Sequence, residues 1–134
     1  MPESKKSILV VDDAADFCML IKEKFEPLGY RVLTASDGRE GFKKVVEEKP
    51  DIVLLDIRLP KDEDGLECLR QLRSYIDNDP EKQARMRGTP VIILTGSGPS
   101  MKTLFESVGI SGYFEKPFDL NALHRAVQRA LTPR

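Results

Sequence analysis

Hydrophobic positions fall into two rhythms along this chain. Short unbroken runs, ILVV (8–11), IVLL (52–55) and VIIL (91–94), alternate with stretches in which apolar residues recur every three or four positions. The runs are rich in β-branched residues and bounded by turn formers, so they read as strands. A mixed run, RVLTA (31–35), and a weaker one, GYFE (112–115), join them. Continuous rather than alternating hydrophobicity is what a parallel sheet covered on both faces requires.

The periodic stretches predict helices. Phe17, Leu20, Ile21, Phe25 and Leu28 form one apolar face, with Gly29 as the stop. The second helix starts at Ser36 or Asp37 as N-cap and turns Phe42, Val45 and Val46 inward. DGLE (64–67) has capping-box spacing, with Asp64 as cap and Glu67 reaching back, ahead of Leu66, Leu69, Leu72 and Ile76. Met101, Leu104, Phe105 and Val108 mark another helix, and Asp119 caps a last one that buries Leu120, Leu123, Val127 and Leu131. Strands and helices alternate as five β–α units, so the chain is expected to be an α/β protein: a doubly wound (βα)5 parallel sheet joined by right-handed crossovers.

In such a sheet, ligands and chemistry gather at the carboxyl ends of the strands. The residues that close the runs are therefore the informative ones: Asp12 and Asp13, Asp56, Thr95 and Lys116. Each has an ordinary reading. The acidic pair can cap a helix, Asp56 can close a strand in an ion pair, Thr95 can fill a sheet, and Lys116 can be a solvated lysine. Taken together they point elsewhere. Three converging carboxylates repel one another and raise each other's pKa, a conflict that a hard divalent cation relieves. Mg2+ prefers oxygen ligands and keeps several waters, so one or two carboxylates suffice. A carboxylate oxygen can also accept a phosphoryl group, a transfer that depends on positioning and charge neutralisation by a metal, an ammonium and a hydroxyl.

Composition narrows the setting. The 134 residues are 40% hydrophobic, enough for one domain with a real core. With 21 basic and 22 acidic residues, the chain lacks the basic excess of a nucleic-acid footprint. No apolar run approaches the roughly 20 residues of a membrane span, and MPESKKS is no signal peptide. Cys18 and Cys68 are too few for a disulfide framework and too far apart for a zinc motif, so both are expected to be reduced in a cytoplasmic protein. His124, the only histidine, falls beside the apolar face of the last helix and is expected to be exposed and idle.

Four segments in order, ILVVDDA with its acidic pair, PDIVLLDIRLP, VIILTGS and GYFEKPF, carry a resemblance. The chain is similar nearly end to end to the receiver domain of two-component response regulators, of the stand-alone chemotaxis or phytochrome-partner type. The resemblance implies a flavodoxin-like sheet of strand order 2-1-3-4-5. It implies Asp56 as phosphoacceptor, Asp13 as direct Mg2+ ligand with Asp12 beside it acting through water, and the backbone carbonyl of Arg58 as a further ligand. Thr95 matches the switch hydroxyl, Lys116 the lysine that pairs with the phosphoryl group, and Tyr113 the aromatic that turns inward when Thr95 moves. Tyr113 also has a plain reading as a core or surface aromatic. Pro117 matches the proline that follows a cis peptide.

Function follows from the same resemblance. The chain is expected to be one receiver domain over 1–134, with 1–6 as an N-terminal tail. A sensor histidine kinase or histidine phosphotransfer protein would supply the phosphoryl group. The receiver would catalyse its own phosphotransfer and dephosphorylation without being a classical enzyme, and would act in trans on an output protein of unknown identity. No nucleic-acid contact by this domain alone and no membrane contact are expected. The surface bearing Lys102, Glu106, Arg125 and Arg129 permits a homodimer.

Several segments depart from a minimal receiver. Residues 74–90 are longer, with an addition at 77–88 in which DPEKQARM (79–86) reads as a short helix capped by Asp79 with Pro80 in its first turn, or as surface decoration. KDED (61–64) reads as a solvated loop. GSGPS (96–100) lacks the ending of a phosphate-binding loop, and its Gly98 and Pro99 leave the coupling from Thr95 to Tyr113 open. The resemblance implies that Arg58 and Ser97 occupy positions that, in receivers, influence how fast the aspartyl-phosphate hydrolyses. Two rivals remain: a pseudo-receiver that signals without phosphate, and a phosphatase of the haloacid-dehalogenase type. The latter requires an aspartate two residues after the nucleophile, where this chain has Arg58. A flavin-binding module fits less well still.

Overall fold

In the computed structural model, which describes residues 5–57, 62–96 and 102–132, every expected strand forms. The strands are β1 (Ser7–Val11), β2 (Arg31–Ala35), β3 (Ile52–Ile57), β4 (Val91–Thr95) and β5 (Gly112–Glu115). They pair in parallel in the order β2-β1-β3-β4-β5, the flavodoxin-like arrangement. The helices are α1 (Ala15–Phe25), α2 (Gly38–Glu48), α3 (Asp62–Arg73), α4 (Pro80–Gly88), α5 (Lys102–Val108) and α6 (Leu120–Leu131).

Side-chain parity divides the core into two. Successive residues of a strand point to opposite faces. Ile8, Val10, Ile52, Leu54, Ile92 and Leu94 face α1 and α6, where they meet Ile21, Phe25, Leu123 and Val127. Leu9, Val11, Val53, Leu55, Val91 and Ile93 face the other way, onto Val45 of α2, Leu69 and Leu72 of α3, Met86 of α4 and Phe105 of α5. Each of these large apolar side chains contributes on the order of 1.5–3 kcal/mol by leaving water. Burial on both faces accounts for strands without polar alternation.

Helix ends follow their local chemistry. Asp37 caps α2 by accepting from the Glu40 amide, and Asp119 caps α6 by accepting from the Asn121 amide. Asp79 caps α4 with Pro80 in the first turn, as its sequence predicts. That helix is more than decoration, because Met86 is fully buried in the core.

Other expectations are corrected. Asp64 lies inside α3, which runs from Asp62, so it is not the cap, and residues 62–64 are helical rather than a loop. Acidic residues are favoured throughout a first turn, which lets the helix extend past a would-be cap. Ile76 lies beyond the end of α3 and is 81% exposed. On α1 the buried face is Cys18, Ile21 and Phe25, spaced i, i+3, i+7. Leu20 stands a third of a turn away from it and Leu28 sits in a terminal 3-10 turn, so both are exposed. His124 is half-buried rather than idle, edge-on to Phe25 at 5.7 Å and to Tyr30 at 5.9 Å. The readings of Arg58, Ser97, Gly98, Pro99 and Met101 fall outside the described residues.

α2 lies close on the sheet because Gly41 has no side chain: a Cβ there would stand 2.8 Å from Cγ2 of Val11. Val11 is β-branched and stiff, so the neighbour yields little. Gly41→Ala is therefore expected to destabilise the protein by about 1–2 kcal/mol despite alanine's better helix propensity. Gly88→Ala, with nothing within 4 Å, should be neutral or stabilising by up to about 1 kcal/mol. Urea denaturation of the two variants checks both signs.

Candidate functional site

The strand order reverses between β1 and β3, and the crevice outside their carboxyl ends is where this fold binds ligands. Val11 is paired with Leu55, so Asp12 and Asp13 leave β1 at the level of Asp56 in β3. Parity then selects the side. Asp12 continues the series Ile8–Val10 and Asp56 the series Ile52–Leu54, the α1/α6 side of the sheet. Lys116 continues Gly112–Phe114 of β5 toward that same side.

The contacts agree with that placement. Lys116 Nζ stands 2.8 Å from Asp56 Oδ1 and 3.2 Å from Asp12 Oδ2. The Asp12 side chain is fully buried, that of Asp56 is 3% exposed and that of Lys116 is 26% exposed. Carboxylates this deep are tolerated because each is paired; an unpaired buried charge is costly enough to neutralise itself. The Ala14 amide donates to Asp12 Oδ1 at 2.8 Å and fixes that carboxylate at the start of α1. The Lys116 amide donates to the Thr95 carbonyl, at 2.6 Å, anchoring the lysine where β5 ends. The peptide bond between Lys116 and Pro117 is cis, as the resemblance implies.

One oxygen from each of Asp12, Asp13 and Asp56 lies within 4.8 Å of the others, and Asp13 is exposed to solvent. Three carboxylates beside one ammonium leave two negative charges, which one divalent cation balances. The donors are all hard oxygens, so the set fits Mg2+.

Thr95 and Tyr113 lie on the opposite side of the sheet. Thr95, buried, ends β4 opposite Ile57 and Glu115. Tyr113, half-buried, pairs with Ile93 two residues down the strands, its ring 6.5 Å from that of Phe105 in α5. The two share a face without being neighbours in register. Sequence reasoning assigned Phe17 only to an apolar helix face, yet Lys116 Nζ sits 4.1 Å from the centre of its ring. The available signal was spacing: Phe17 stands one helical turn after Asp13.

The residues 8–128 match the model of the response regulator receiver domain, and the chain belongs to that family. Over 128 residues it is 40% identical to the alkaline phosphatase synthesis transcriptional regulatory protein PhoP of Bacillus subtilis, covering 92% of this chain and 49% of that one. The chain thus spans about half the length of such curated relatives. It is 32% identical over 127 residues to sporulation initiation phosphotransferase F of the same organism, covering 94% of each. Among solved structures, it resembles the receiver domain of sensor histidine kinase PA1611 from Pseudomonas aeruginosa, which has a magnesium ion coordinated in its active-site cleft. The TM-score is 0.78 at 29% identity, covering 96% of this chain and 98% of that one. A receiver implies a histidine kinase as phosphodonor, and phosphoacceptor signalling is typical of the family. Among the described residues, no helix is long and apolar enough to cross a membrane.

Both cysteines are free, as expected. Burial pushes the Cys68 thiol up to about 12. The Cys18 thiol is also raised, first by burial and then by the Asp12 carboxylate, with Lys116 opposing. A raised thiol stays protonated at pH 8, and the thiolate is the reactive form. Native protein at pH 8 is therefore expected to react with Ellman's reagent at least about a hundredfold more slowly than after unfolding in guanidinium.

Proposed function

We propose that this chain accepts a phosphoryl group on Asp56 from a phosphohistidine and uses it to switch a partner-binding face. The observation that carries the proposal is the Asp56 carboxylate, nearly buried at the end of β3 yet within 2.8 Å of Lys116. An Asp56 oxygen attacks phosphorus as the nitrogen–phosphorus bond of the donor breaks, and the imidazole leaves with the electron pair of that bond. Lys116 pairs with the charge on the phosphoryl oxygens, moving from carboxylate to phosphate. Asp13 and Asp56, with Asp12 through water and the Arg58 carbonyl, would hold Mg2+, which would supply charge neutralisation at the transferring group. Water then hydrolyses the acyl phosphate.

Thr95, at the same rim, donates its hydroxyl to a phosphoryl oxygen, and Tyr113 turns inward against the α5 side. The partners are a sensor histidine kinase or a histidine phosphotransfer protein and an output protein reached in trans. Residues 1–134 act as one receiver, with 77–88 as an addition on the face away from the acidic rim, in the cytoplasm.

Intact-mass spectrometry after incubation with acetyl phosphate or phosphoramidate tests this reading. One added phosphate is expected with Mg2+, none without it and none in Asp56→Asn. Lys116→Ala should slow phosphorylation by about a hundredfold, the usual cost of removing one stabiliser of developing charge. Failure of the wild type to take up phosphate with Mg2+ would favour a pseudo-receiver instead.

A further inference from the structure

We propose that Phe17 is a positioning residue for Lys116, the third side of the seat that keeps its ammonium at the acidic rim. The inference rests on the reading of Lys116 as the lysine that meets the phosphoryl group.

A lysine side chain has a flexible four-carbon stem, and holding its tip in one place costs rotamer entropy. Here two contacts at the tip involve Asp56 and Asp12. Both belong to the cluster whose oxygens suit a divalent cation. A dication arriving there draws on the same carboxylate charge and repels the ammonium. With carboxylates alone to hold it, the lysine would swing toward solvent, to which it is already 26% open. The face of an aromatic ring is a partner that a metal does not take. Lys116 Nζ lies 4.1 Å from the centre of the Phe17 ring, within the range where the ring quadrupole attracts a cation.

The ring is itself held. Phe118, two residues after Lys116, meets Phe17 edge-on at 6.2 Å and 80°. Phe118 in turn packs on Phe114 at 5.6 Å. Phe17, Phe114 and Phe118 all pack against the α1/α6 core. The lysine and the aromatic group that supports its cradle thus come from one short segment, residues 114–118, clasped against α1. A leucine at position 17 would fill similar space with no quadrupole, and tyrosine would restore the face.

The experiment compares the 134-residue wild type, Phe17→Leu, Phe17→Met and Phe17→Tyr, with Mg2+ present. The first readout is the NMR shift of the Lys116 ε-methylene, assigned by its loss in Lys116→Arg. The wild type and Phe17→Tyr should show it upfield of the other lysines, with the displacement lost in Phe17→Leu and Phe17→Met. The second readout is the phosphorylation rate with phosphoramidate. At saturating donor it should fall roughly three- to tenfold in the leucine and methionine variants and recover in the tyrosine variant. Mg2+ affinity by NMR titration should stay within twofold of wild type. A wild-type Lys116 shift among the ordinary lysines, or leucine and methionine variants that match wild type in rate, overturns the proposal. Should no protein take up phosphate, the acceptor reading of Asp56 fails, and the methylene shift alone then decides whether Phe17 seats the lysine.

Discussion

The arrangement at the rim depends on one ammonium placed between two carboxylates that the fold has taken out of water. Asp12 and Asp56 end strands buried on both sides, where a charge is costly without a counter-ion. Lys116 supplies it from the far edge of the sheet, across β4. The ion pairs therefore join three strands spread over more than a hundred residues of sequence, and they concentrate charge at one rim of the sheet. Stability and the proposed transfer meet in the same contacts. Removing the lysine leaves two carboxylates to repel each other; removing a carboxylate loosens the lysine.

Two-faced burial gives the surrounding frame its rigidity. With helices packed against both sides, β1, β3 and β4 cannot shift register without turning every inward side chain over. The residues at the strand ends inherit that precision: the pairing of Val11 with Leu55, and of Ile57 with Thr95, sets the rim before any side-chain contact is made. The sheet also separates two sets of residues. Carboxylates and lysine stand on the α1/α6 side, while Thr95 and Tyr113 stand on the side of α5.

Much of this was legible in the sequence because it depends on local chemistry. Unbroken β-branched runs gave the strands, and Asp37, Asp79 and Asp119 gave three helix starts through capping that needs only neighbouring amides. The acidic rim was legible because charge at the end of a buried run is costly enough to demand an explanation. What was missed depends on tertiary rotation and length. Leu20 and Leu28 look core-facing in a periodic pattern, but the docking angle of α1 favours Cys18. Ile76 follows the period of α3 after the helix has ended. Phe17 was hidden because an aromatic on an apolar face already has an ordinary use, and nothing in its own segment announces a lysine 99 positions later.

The helix α4 carries an evolutionary consequence. It enters the chain just before β4, at the end of the strands away from the carboxylates, and it contributes Met86 to the core instead of crowding the rim. Length can therefore be gained at that pole of the molecule without moving a residue of the acidic rim. A single residue gained within β3 or β5 would exchange Asp56 or Lys116 for a neighbour of opposite facing. The architecture divides the chain into places where variation is free to accumulate and places where its spacing must be inherited intact.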